Sequence, residues 1–114
     1  MDRDLGQRLF KFTIDTVKFL RDVKSSPELS VFKYQLTKSA SSAGANYEEA
    51  QAASSRKDFN SKIDISLREM REANYWLRIF KELEMGSKEK CSSLVSESDE
   101  LRRILGTIAK KTSK

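Results

Sequence analysis

Histidine is absent from this chain of 114 residues, and cysteine, proline and glycine are scarce, at one, one and four. Without His there is no side chain whose ordinary pKa lies near neutrality, no triad base and none of the commonest metal ligand. The lone Cys91 excludes an intramolecular disulfide and any multi-cysteine zinc site. One Pro and four Gly are too few turn formers for the many short strands of a sandwich or barrel. Long apolar runs are missing too. No stretch approaches the ~20 residues that cross a bilayer, and Met1-Asp2-Arg3-Asp4 leads into no apolar segment like that of a signal peptide. These absences predict a non-enzymatic chain with no catalytic residue, cofactor, metal or membrane partner. It is expected in the cytoplasm, where Cys91 stays reduced.

What is present is helical spacing. A mass of 13.1 kDa suits one core, so residues 1–114 are read as a single domain, and with 34% charged residues the apolar ones must be used economically. Leu5, Leu9, Phe12, Thr16, Phe19 and Val23 recur at steps of four and three, the mark of one buried helix face, and Phe10, Ile14 and Val17 add a second flank. Ser26-Pro27 then reads as a cap and first turn. Beyond it Leu36, Ala40, Ala43, Tyr47 and Ala50 keep the period with mostly small side chains. Ser39 to Ala45 therefore reads as closely packed helix and not as a flexible linker. A polar stripe of Gln35, Ser39, Ser42, Asn46 and Glu49 runs beside it.

Ser55 and Asp58 have the spacing of a cap and its third-position acid. The longest periodic stretch follows. Phe59, Ile63, Ser66, Met70, Ala73, Leu77 and Phe80 form one stripe, and Ile65, Glu69, Glu72, Trp76, Ile79 and Leu83 form another. Met85-Gly86-Ser87 supplies a stop and a new cap before Cys91, Leu94, Ser98, Leu101, Leu105 and Ile108. The fold class expected is all-α, an antiparallel up-and-down four-helix bundle with helices near 4–24, 27–52, 55–85 and 87–110. The surplus flanks on the first and third helices call for neighbouring subunits, so a homo-oligomer is expected.

Chemistry is sparse by comparison. Glu69 and Glu72 have a carboxylate spacing used in di-metal bundles but lack the histidines of such sites, so they read as members of salt bridges or of a polar inter-helix network, with Arg68, Arg71 and Lys62 close along the helix. Ser-x-x-Lys occurs at Ser30, Ser54 and Ser87 without its companion motifs, which is chance in a chain rich in both residues. Cys91 lies on an apolar face with nothing to activate it. The net charge of +5 concentrates at the C-terminal end. Arg102, Arg103, Lys110, Lys111 and Lys114 occur there, with no acid between Arg102 and Lys114. At 100° per residue Arg103, Lys110 and Lys114 fall within ~40° of one another, opposite Leu101, Leu105 and Ile108, a geometry suited to phosphate contacts of RNA or DNA.

One further pattern is composite. Gln35-Leu36-x-x-Ser39-Ala40-x-Ser42-x-Gly44-Ala45-Asn46-x-x-Glu49-Ala50 is followed by Ser55-x-x-Asp58-Phe59-x-x-Lys62 and Glu69-x-x-Glu72-x-x-Tyr75-Trp76-Leu77. Over about residues 30–85 this resembles the small bacterial four-helix-bundle proteins, also labelled ribosomal-protein-like, that are encoded in intervening sequences of large-subunit rRNA genes. It departs from that pattern at Tyr47, where many relatives have an Ile. More distantly it is similar to the accessory variability protein of diversity-generating retroelements, a pentameric barrel that binds nucleic acid. The resemblance implies a homopentamer and gives Ser39, Ser42, Asn46, Glu49, Glu69, Glu72 and Trp76 packing and assembly roles. The function expected is an oligomeric, non-enzymatic protein that binds RNA or DNA through basic surface. The alternative is a scaffold that binds a protein partner and no nucleic acid.

Overall fold

The four periodic stretches are helices in the computed structural model, which describes residues 2–112: α1 Asp2–Arg21, α2 Pro27–Gln51, α3 Arg56–Glu82 and α4 Lys88–Thr112. Serine hydroxyls start three of them by taking a backbone N–H that the first turn leaves unpaired. Ser26 accepts from Leu29 N at 3.2 Å, Ser55 from Asp58 N at 3.0 Å and Ser87 from Lys90 N at 3.1 Å. Pro27 occupies the first turn of α2, where its missing N–H costs nothing.

The helix ends differ from the periodic pattern for local reasons. α1 stops at Arg21 because Asp22 N and Val23 N bond back three residues, to Phe19 O at 3.2 Å and Leu20 O at 3.1 Å, a tight turn that buries Val23. The α3 helix closes earlier than Gly86 suggests. Glu84 takes a left-handed φ of 56°, its N–H bonds Lys81 O at 3.0 Å, and Met85 N bonds Phe80 O at 3.1 Å. This is a Schellman closure with Glu in the position that Gly usually fills. Gly86 is left-handed as well, with φ 71°. At the other end α4 runs on to Thr112, whose carbonyl accepts from Asn60 Nδ2 at 2.7 Å.

Short connections make successive helices antiparallel neighbours. α1 packs on α2, α2 on α3, α3 on α4 and α4 back on α1, so α1 lies diagonally from α3 and α2 from α4. The extents are 43 × 24 × 20 Å, the first matching the ~40 Å length of a helix the size of α3. The core is made of the stripes read from the sequence: Leu9, Phe12 and Phe19 of α1, Leu36 and Ala43 of α2, Ile63, Met70, Leu77 and Phe80 of α3, and Cys91, Leu101 and Leu105 of α4 are all buried. Buried hydroxyls and amides stitch the helices together. Ser66 Oγ donates to Ala43 O at 2.6 Å across α3 and α2, Thr13 Oγ1 to Ala40 O at 3.2 Å across α1 and α2, and Asn74 Nδ2 to Ser98 Oγ at 2.9 Å across α3 and α4. On the α1–α4 side Arg8 grips Glu97 through Nε at 3.0 Å and Nη2 at 2.8 Å, and Nη2 also meets Glu100.

The α3–α4 turn makes opposite demands at two neighbouring positions. A Cβ on Gly86 would lie 2.8 Å from both Phe19 Cε1 and Val23 Cγ2, besides straining a left-handed backbone. Gly86→Ala is therefore expected to lower unfolding free energy by at least about 2 kcal/mol, whereas Glu84→Gly, which relieves a left-handed side chain, should raise it by about 0.5–1 kcal/mol. Urea unfolding of the two variants checks both signs.

Candidate nucleic-acid interface

The basic residues singled out at the C-terminal end are not equivalent once α4 is folded. Asp99, one turn earlier, takes Arg102 Nη2 at 2.6 Å and Arg103 Nη2 at 2.9 Å on its two carboxylate oxygens. Such i,i+3 and i,i+4 pairs were outside a reading that began at Arg102. Lys110 and Lys111 are exposed in the last turn of α4, and Lys114 lies outside the described residues.

A second basic face lies between α3 and α4. Arg71, Tyr75 and Arg78 follow one another at four and three residues, so α3 presents them as one stripe. Along this face two hollows of about 760 and 630 Å³ meet, with Arg78 and Val95 lining both. The larger adds Tyr75, Ile79, Lys81, Met85 and Lys88, and the smaller adds Arg71 and Arg102. Among the described residues Arg71, Arg78, Lys81 and Lys88 have no carboxylate partner. Glu82 and Glu84 also line the larger hollow, and Asp99 borders the smaller one already engaged with two arginines.

Arg78 is held in place. Its Nε donates to Asn74 Oδ1 at 3.0 Å, and its Cζ lies 5.6 Å from the centroid of the half-exposed Tyr75 ring. Asn74 is itself buried, and its amide donates to Ser98 Oγ at 2.9 Å and to Val95 O at 3.3 Å. The floor of the hollow offers no nucleophile. Burial pushes the Cys91 thiol pKa up, and its Sγ donates to Leu77 O at 3.5 Å. No group of three or more metal-ligating side chains occurs among the described residues. The sequence reading missed this face because it followed the local charge excess. The signal was the i, i+4, i+7 spacing of Arg71, Tyr75 and Arg78.

The polar stripe of α2 and α3 is only partly inward: Ser39 is buried, Ser42, Asn46, Glu69 and Trp76 are half-buried, and Glu72 is exposed. Ser39 is buried and donates to Leu36 O at 3.2 Å, and Asn46 Nδ2 donates to Ser42 O at 2.9 Å and Ser42 Oγ at 3.1 Å. Glu49 is exposed. Trp76 stacks on Phe32 of α2, centroids 5.6 Å apart, and its Nε1 donates to Glu72 at 3.4 Å. Of the two roles expected for Glu69 and Glu72, no ion pair forms among the described residues, whereas Glu72 accepts from Trp76, which stacks across the helix boundary on Phe32. On the opposite side, α1 and α2 enclose a 230 Å³ apolar groove over Gly6, Gly44 and Ala45, flanked by Phe10 at 71% exposure and Ile14 at 40%.

Four helices around one core, with a cationic groove on one side and an exposed apolar flank on the other, define a class of small all-α bundle proteins. Within it the chain belongs to the 23S rRNA-intervening sequence protein family, whose model matches residues 1–107. A solved structure from Bacteroides thetaiotaomicron, a protein of unknown function from the S23 ribosomal protein family, superposes with a TM-score of 0.83 at 30% identity, covering 93% of this chain and 98% of that one. No curated protein matches the chain at a significant level.

Glu69 responds to its surroundings in a measurable way. Partial burial raises its pKa, Glu72 raises it further, and Lys38 and Arg68 oppose the shift. A carboxyl that holds its proton more tightly in the folded chain costs stability as pH rises from the ordinary glutamate range through the raised value. Glu69→Gln is therefore expected to be more stable than the parent at pH 7 and to lose that advantage at about pH 3.5. Urea unfolding at the two pH values is the check.

Proposed function

We propose that this protein is a non-enzymatic, cytoplasmic nucleic-acid-binding protein that acts as a homo-oligomer. The observation that supports it is the α3–α4 face, where among the described residues Arg71, Arg78, Lys81 and Lys88 have no carboxylate partner, while Glu97, Glu100 and Asp99 of α4 engage Arg8, Arg102 and Arg103. Cations without internal partners are available to a phosphate backbone, and each phosphate neutralised releases condensed counterions. The exposed Lys110 and Lys111 extend the basic surface toward the C-terminal end. Both RNA and DNA are ligands to test, since cations without internal partners meet either backbone.

Assembly belongs to the same reading. Phe10 and Ile14 leave an apolar flank beside a groove of small residues, which a second copy would cover. Resemblance suggests a ring of five, in which a modest cationic face is repeated around the assembly and gains avidity. A protein scaffold with no nucleic-acid role is the competing reading, and the same exposed flank favours it.

Salt titration of RNA and DNA binding tests the first part. Removing a cation that neutralises one phosphate should flatten the slope of log affinity against log salt by about 0.9 on duplex DNA and about 0.7 on single strands. Replacing Arg71, Arg78, Lys81 and Lys88 by Ala should weaken binding and flatten the slope more than replacing Arg103, Lys110 and Lys114. Equal affinity and slope in parent and both variants would leave the scaffold reading. Light scattering of the parent should report a mass several times 13.1 kDa, and Phe10→Asp should reduce it toward one chain.

A further inference from the structure

We propose that the α3–α4 hollow is a binding site for one unstacked nucleotide of a single strand, with its base against the Tyr75–Arg78 pair and its phosphates on Arg78 and the neighbouring cations. This rests on the nucleic-acid reading above and names the form of nucleic acid that this face recognises.

Preorganisation is the first argument. An exposed arginine ordinarily samples many rotamers, and ordering it on binding costs up to about 2 kcal/mol. Here Asn74 removes much of that freedom. The amide is anchored through Ser98 Oγ at 2.9 Å and Val95 O at 3.3 Å, and its oxygen accepts from Arg78 Nε at 3.0 Å. The guanidinium is thus set over Tyr75 while its four Nη–H donors have no acceptor among the described residues. A planar fork of free donors beside an aromatic ring matches a phosphate and a base in one step.

The second argument is shape. About 760 Å³ lies within the range of ligand-binding clefts, and its floor includes Ile79, Met85 and Val95. A base in a duplex has both faces stacked and offers Tyr75 little, whereas an unpaired base presents a free face to the half-exposed ring. The hollow continues past Arg78 and Val95 into the 630 Å³ one, where Arg71 and Arg102 line the path. That continuity suits a strand with successive phosphates better than a free mononucleotide. An acidic peptide would satisfy the cations but leave the exposed half of the Tyr75 ring uncovered.

The test uses the full chain and four ligands: a labelled single-stranded RNA, its duplex with a complementary strand, adenosine monophosphate and polyglutamate. Trp76 is the one tryptophan, and its ring lies 5.3 Å from that of Tyr75, so its emission reports a base arriving there. The parent should prefer the single strand over the other three, with quenching of Trp76. Tyr75→Ala should weaken single-strand binding roughly 5- to 150-fold with an unchanged salt slope. Tyr75→Phe should restore it, and Arg78→Ala should weaken binding and flatten the slope by about 0.7.

If the parent binds with steep salt dependence but Tyr75→Ala matches it on the single strand, the nucleotide site falls and the general nucleic-acid reading stands. Equal losses on single strand and duplex, or polyglutamate or the mononucleotide binding as well as the strand, overturn it too. If the parent binds no nucleic acid at all, both readings fall together.

Discussion

How closely α2 lets its neighbours approach determines the rest of this bundle. Between the buried Leu36 and Tyr47 its inner face is built from Ser39, Ala40 and Ala43, with Gly44 beside them, so side-chain bulk does not hold the flanking helices away there. The backbone is reached from both sides: Ser66 of α3 donates to Ala43 O at 2.6 Å and Thr13 of α1 to Ala40 O at 3.2 Å. A larger residue at position 40 or 43 would meet hydroxyls and carbonyls already in contact, and overpacking of this kind typically costs about 1–3 kcal/mol. Because α2 contributes little volume, Phe12 and Phe19 of α1 and Met70, Leu77 and Phe80 of α3 fill the centre, with Phe19 meeting Phe80 edge to face at 5.9 Å.

α3 uses a polar side chain on each of its seams, Ser66 toward α2 and Asn74 toward α4. The first serves only packing. The second also orients Arg78, so a structural bond inside the bundle fixes a charged group on its surface. The acids are distributed to the same effect. Glu97 and Glu100 engage Arg8 on the α1–α4 seam, and Asp99 engages Arg102 and Arg103, whereas among the described residues Arg71, Arg78, Lys81 and Lys88 beside them have no carboxylate partner. The face of a helix on which a carboxylate projects thus matters more than the local sum of charges.

Most of the fold was legible in the sequence because one physical rule, burial at 3.6-residue spacing, acts on every helix. Thr16, Ser66 and Ser98 were placed among core positions by spacing alone, and all three are buried. Caps at Ser26, Ser55 and Ser87 were legible because an unpaired first-turn N–H has few chemical remedies. The end of α3 was not, since Glu84 adopts a conformation its side chain disfavours and is held there by two backbone bonds. The candidate site was less legible still. A charge count found Arg102 and Arg103 but could not see Asp99 turning toward both, and it passed over Arg71 and Arg78, which sit amid acids that point elsewhere.

The Arg8 clamp has a kinetic consequence. It joins α1 to residues 89 and 92 positions further on, the one seam that links the two ends of the fold. Closing a flexible loop of that length costs about 4 kcal/mol in chain entropy, against roughly 1–2 kcal/mol for a partly exposed charged pair. The other seams join neighbours along the chain and close cheaply. The α1–α4 seam should therefore form last, once α1 is held by α2 and α4 by α3, and open first. Amide hydrogens of Met70 and Leu77, on α3 and away from that seam, should be among the last to exchange.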